Sequence, residues 1–161
     1  MKPSYKPVGG VERAALYPAN AVETALFSNE GCEISLVGTP IEVELIDDES
    51  HYEEELENKN GITRLSHRLC LTANHKCAEA WLDKEFLELT AVDGVVAVVT
   101  LNDGRTLIVG YSAHFESEQP LRLHSLTSTS GSKLNDTPRV ELQLLSYDTA
   151  FSAEIIHTNN F

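Results

Sequence analysis

Positive charge is what this chain has least of: 12 Lys and Arg stand against 25 Asp and Glu, a formal net charge of -13. Proteins that grip nucleic acid or anionic membranes take most of their affinity from basic side chains that displace counterions. Tight binding to either polyanion is therefore not expected. Cysteine is nearly as scarce. Cys32, Cys70 and Cys77 are too few and too scattered for a disulfide framework, and they point to free thiols in a reducing cytoplasm. Long apolar runs are missing as well. The longest, residues 95–99, has a strand's length, far below the roughly 18 residues of a membrane-spanning helix. The opening segment MKPSYKPVGGVER has no apolar stretch behind its lysines, so no secretory signal is read there and the expected location is cytoplasmic.

Motifs that carry chemistry are also thin. His67, Cys70, His75 and Cys77 fall within eleven residues, and zinc takes such ligands. His67 and Cys70, however, sit three apart on an expected strand and point to opposite faces. No metal or other cofactor is expected. The acidic stretch lacks the D-x-D-x-D-G spacing and bending glycine of a calcium loop. Gly110-Tyr-Ser112-Ala-His114 echoes a nucleophile elbow, but the second glycine and the following helix are absent. Ser130-Gly-Ser-Lys133 matches S-x-x-K by letters, in a segment that reads as a loop. Turn chemistry accounts for both. A non-enzymatic protein is expected, with a hydrolase using Ser112 and His114 as the remote alternative.

What is present is a frame of short alternating segments. At 161 residues the chain fits a single domain, 1–161, able to bury roughly 70% of its unfolded surface. Residues 1–10, with two prolines and Gly9-Gly10, read as a flexible arm. Period-two alternation marks half-buried strands, one of them through Ile41, Val43 and Leu45. Asn60-Gly61 is a strong hairpin turn, placing acidic residues 52–57 opposite a strand whose Leu65, Leu69 and Leu71 share one face with His67. One helix is expected over about residues 76–89, capped by Asn74, with Ala78, Leu82, Phe86 and Leu89 as its stripe. The fold class is therefore mainly β, a β-sandwich or barrel with one flanking α-helix. Leu65, Leu69, Leu71, Leu82, Phe86, Leu142 and Leu144 are the expected core.

The densest feature is residues 42–57. Nine carboxylates, Glu42, Glu44, Asp47, Asp48, Glu49, Glu53, Glu54, Glu55 and Glu57, occur there with no Lys or Arg. The rest of the chain is close to balance, 12 bases against 16 acids. The alternation turns Ile41, Val43 and Leu45 inward, so these carboxylates are expected to form a solvent-facing negative surface.

Three stretches, GGVERAALYPA, GRTLIVGYSAHFESEQPLRL and SLTSTSGSKLNDTPRVELQLLSYD, cover about a third of the chain. With the arm, the sandwich, the single helix and the charged hairpin, they resemble the tail-tube and neck proteins of tailed bacteriophages and prophages, and their relatives in contractile injection machines. The resemblance implies a virion structural role without catalytic residues, and homo-oligomerisation into a ring or tube beside other assembly proteins. A carboxylate-lined lumen would repel DNA phosphates at short range. Sheet edges and the hairpin tip at Asn60 and Gly61 are the expected contacts. The alternative is a cytoplasmic β-sandwich serving as a binding or adaptor module.

Overall fold

The computed structural model describes residues 9–148 and 150–158. The expected arm lies outside the described residues up to position 8. Two sheets dominate. The larger is built from β1 (Val11–Pro18), β2 (Val22–Ser28), β3 (Gly31–Leu36), β4 (Ile41–Glu42), β7 (Val95–Leu101), β8 (Thr106–Val109) and β13 (Ala153–Thr158). The smaller comprises β5 (His51–Lys59), β6 (Ile62–Asn74), β11 (Arg122–Thr129) and β12 (Arg139–Asp148). A two-residue ladder joins β9 (Tyr111–Ser112) to β10 (Ser117–Glu118).

The seven-stranded order is β2-β3-β13-β8-β7-β1-β4. Its neighbours are antiparallel except β13, which runs parallel to β3. The four-stranded order is β11-β12-β6-β5, antiparallel throughout. One core lies between the sheets, where Leu16, Ala97, Val99 and Val109 meet Leu69, Leu71, Leu142 and Leu144. A second core joins Cys32, Ile34 and Leu36 of β3 to Tyr17 of β1 and Val96 and Val98 of β7. In a flat sheet β3 and β7, three strands apart, would be roughly 14 Å from each other. β1 and β2, farther apart still in that order, are joined by only Ala19–Ala21, so the large sheet rolls over on itself without closing. The roll explains the unbroken apolar run of residues 95–99: β7 is covered on both faces, and all five residues are fully buried.

The expected alternation through Ile41, Val43 and Leu45 is real, but it is not one strand. Ile41 and Glu42 pair with β1, whereas Leu45 bridges to Ala73 of the other sheet. The segment crosses between layers with Val43 buried and Glu42 and Glu44 outside.

The helical segment also differs from expectation. It starts later and is broken: α1 (Glu79–Leu82) and α2 (Lys84–Glu88) are separated by extended Asp83, and a π-helical turn, Leu89–Asp93, follows. Asn74 is no helix cap; it ends β6 opposite Arg139. The break resets the helical phase, so Ala78, Trp81, Phe86 and Thr90 face the core and Leu82 is only half-buried. Thr90 satisfies its buried hydroxyl by donating to the Phe86 carbonyl at 3.0 Å. Gly94 then turns the chain at φ +82, where a Cβ would lie 2.7 Å from Pro120, so no other residue fits without displacement.

Candidate functional site

The acidic block divides into two surfaces. In the β5–β6 hairpin, Asn60 and Gly61 both take positive φ (53° and 83°), the two-residue turn expected from their sequence. That turn sets the register, placing Glu53 opposite Arg68, Glu55 opposite Ser66 and Glu57 opposite Arg64. Glu53 and Arg68 approach to 3.9 Å and Glu57 and Arg64 to 3.8 Å. All four are solvated, so each pair contributes only a few tenths of a kcal/mol. Arg64 also lies 4.6 Å from the ring centre of Tyr147.

Glu54 departs from the expected outward surface. Period two turns it to the inner side of β5 beside Tyr52, where it is half-buried and accepts the Ser152 N–H at 3.2 Å. The remaining carboxylates gather elsewhere. Glu42 accepts from Arg13 at 2.7 Å and Glu49 from Arg139 at 2.6 Å. Glu44, Asp47 and Asp48 are not in an ion pair among the described residues. With Glu12 and Glu42 they make the β1–β4 edge strongly negative, Arg13 being the one base there among the described residues. Among the described residues no three His, Cys, Asp or Glu side chains converge as metal ligands.

The outer face of the four-stranded sheet carries both signs. One cross-strand row there reads Arg122, Leu145, Arg68, Glu53. The sheet's two outermost strands differ in charge: β5 has four glutamates against Lys59, whereas β11 has Arg122 and no acid.

Ser112 and His114 are not brought together. The Ser112 hydroxyl is buried, donates to Asp148 at 2.9 Å and accepts the Phe115 N–H at 3.1 Å. His114 is exposed, its ring edge-on to Phe115. Ser130 and Lys133 lie in the exposed loop before β12.

Sequence reasoning missed a cluster that contacts make plain. His67 Nε2–H donates to the Ala150 carbonyl at 3.1 Å, and Nδ1 is hydrogen-bonded to Tyr52 Oη at 2.6 Å. Ser152 Oγ lies 2.7 Å from Tyr52 Oη and 3.1 Å from Nδ1. Burial raises the Tyr52 phenol well above its ordinary value, and the Glu54 charge adds to the shift. A serine–histidine contact suggests nucleophilic chemistry, but the Ser152 amide, the natural donor for an oxyanion, is already bound to the Glu54 carboxylate. What the four side chains do is fasten the crossover from β12 to β13 onto β5 and β6. The available signal was His67 itself, a polar residue between Leu65 and Leu69 on the apolar face of β6.

Among the described residues no helix is long and apolar enough to cross a membrane. No protein-family model matches this chain, and no curated protein or solved structure is significantly similar to it.

Proposed function

We propose that this chain is a non-catalytic structural subunit that joins copies of itself edge to edge into a ring or tube, the role implied by its resemblance to tail-tube and neck proteins. One observation carries the reading: the outermost strands of the four-stranded sheet, neither with a second ladder partner among the described residues, are complementary. β5 and β11 run in opposite directions, so β11 of one copy laid against β5 of the next continues the antiparallel alternation. An unpaired strand edge is a template for such addition. The charges agree as well, an acidic edge meeting one with a base and no acid. In an unstaggered join, Arg122 of one copy, whose Nε–H donates to its own Val92 carbonyl at 3.1 Å, stands beside the row that ends in Glu53 of its neighbour. A contact between two different patches is heterologous and propagates until rotation closes it.

Light scattering and electron microscopy of the purified chain test this. Rings or polymers are expected at high concentration. Arg122→Glu should abolish them, and Arg122→Glu combined with Glu53→Arg should restore them. A monomer at every concentration would favour the adaptor alternative instead.

A further inference from the structure

The tip of the β5–β6 hairpin stands clear of the rest of the chain. Residues 58–64 are all exposed, and a Cβ added to Gly61 would meet nothing within 4 Å. The ladder closes on the Lys59–Ile62 pair, leaving Asn60 and Gly61 outside it. Among the described residues neither the Gly61 N–H nor the Asn60 carboxamide has a hydrogen-bond partner. These are the two groups that react when an asparaginyl-glycine peptide cyclises on itself. One is an amide nitrogen able to lose its proton, the other a carboxamide carbon with ammonia as its leaving group. Glycine brings no side chain to crowd their approach.

The other described asparagines are each held. Asn29, Asn74 and Asn135 precede amides that are already engaged. Glu30 N–H donates to Ser28 Oγ at 3.3 Å, His75 N–H to the Pro138 carbonyl at 3.0 Å and Asp136 N–H to the Lys133 carbonyl at 3.0 Å. Asn102 ties its carboxamide to the Gly9 carbonyl at 2.7 Å. Asn58 precedes Lys59, which lies within the ladder, and Asn20 precedes Ala21, whose side chain is buried.

We propose that Asn60 is a self-modification site, converted by its own chain and water to aspartate and isoaspartate. The Gly61 nitrogen, its proton taken by solvent base, bonds to Asn60 Cγ; the Cγ–Nδ2 bond breaks and ammonia leaves, closing a succinimide. Water then opens the ring. Cleavage at Cγ gives aspartate, and cleavage at the backbone carbonyl gives isoaspartate, whose main chain runs through Cβ and Cγ. The balance is a water consumed and an ammonia released, with no oxidant or cofactor. The positive φ of Asn60 belongs to the closed turn, and ring closure brings the carboxamide and the Gly61 nitrogen together, so reaction proceeds from an open tip. Opening there disrupts only the terminal Lys59–Ile62 pair. Isoaspartate lengthens a two-residue turn that fixes the register back to Glu57–Arg64 and Glu53–Arg68. Pairing is therefore lost at the tip, while buried Leu65 and His67 hold the remainder. The reaction belongs to a single chain and does not rest on self-assembly.

To test it, dilute native protein is held at mildly alkaline pH and digested. Its asparaginyl peptides are followed by mass spectrometry, and isoaspartate is identified by isoaspartyl methyltransferase labelling. The Asn60 peptide should convert ahead of the other described asparagines, with ammonia released in step, and the rate should rise with pH because the Gly61 amide must lose its proton. Asn60→Gln should lose the conversion, since its ring would be larger. Asn60→Asp supplies the new charge without the added methylene. It should keep wild-type hydrogen exchange at the Lys59 and Ile62 amides, where isoaspartate-containing protein should lose protection. Another described asparagine converting first, or native protein that keeps Asn60 while the urea-unfolded chain converts it, overturns the site. Isoaspartate-containing protein with wild-type exchange at the tip overturns its effect on register.

Discussion

At the scale of single residues, the most consequential difference from expectation is which side chain anchors the helical segment. Trp81 is fully buried in the inter-sheet core, whereas Leu82 is half-buried at its margin. Trp81→Ala should therefore cost about 3–5 kcal/mol, and Leu82→Ala clearly less, in denaturant unfolding. Cys32 offers a pH test. Burial pushes its thiol up to about 11 from 9.0, with Glu33 adding to the shift. The folded state thus favours the neutral thiol, and the unfolded chain ionises first as pH rises. Stability from this source is complete below pH 9 and lost as pH climbs toward 11. The melting advantage of wild type over Cys32→Ala should shrink across that window. At pH 8, exposed Cys77 should alkylate readily while Cys32 stays protected, as mass spectrometry of the native protein would show.

Among elements, the β5–β6 hairpin was the most legible, because Asn-Gly specifies two positive φ angles locally and alternation then fixes which residues face inward. Gly61→Val should destabilise the hairpin by about 1 kcal/mol or more, since a β-branched residue at φ 83° is strained. The helical segment was less legible. Its periodic pattern assumed continuity, and one extended residue, Asp83, shifted the phase of everything after it. Residues 41–45 show the same limit in another form. Alternation tells which way side chains point, but not which sheet receives the backbone. The latch on His67 was out of reach because its partners are 83 and 85 residues away. Removing it leaves buried polar groups without partners, so His67→Ala should cost about 1–3 kcal/mol. Hydrogen exchange should show the β13 amides losing protection before those of β6.

For the whole molecule, charge and architecture act together. Thirteen net negative charges per copy oppose any association, and salt screens them over about 10 Å at 0.1 M. The favourable ionic contribution at the proposed edge is far smaller, a single Arg122 meeting Glu53. Raising salt should therefore promote assembly, as scattering against sodium chloride concentration would show. Glu44→Gln with Asp47→Asn removes two carboxylates that are outside any ion pair among the described residues and should lower the salt required. Glu53→Gln should not, because it also removes an edge contact. The mainly β architecture was legible from period-two segments. The roll of the large sheet was not, because it depends on β13 joining strands more than forty residues away.

That insertion governs the order in which the molecule can form. β13 leaves the ribosome after every other described strand, yet its place is inside the large sheet, between β3 and β8. Until it arrives, two strand edges face one another across an empty slot, and the roof over Tyr17, Val96 and Val98 is tied to the sheet below through the Ala19–Ala21 link rather than through a strand ladder. The slot is tight: a Cβ on Gly31 would strike the Glu154 carbonyl of β13. Such topology makes folding slow, because the decisive pairing is distant in sequence. Through that interval, the segment most suited to fill the slot besides the chain's own β13 is the β13 of a second copy.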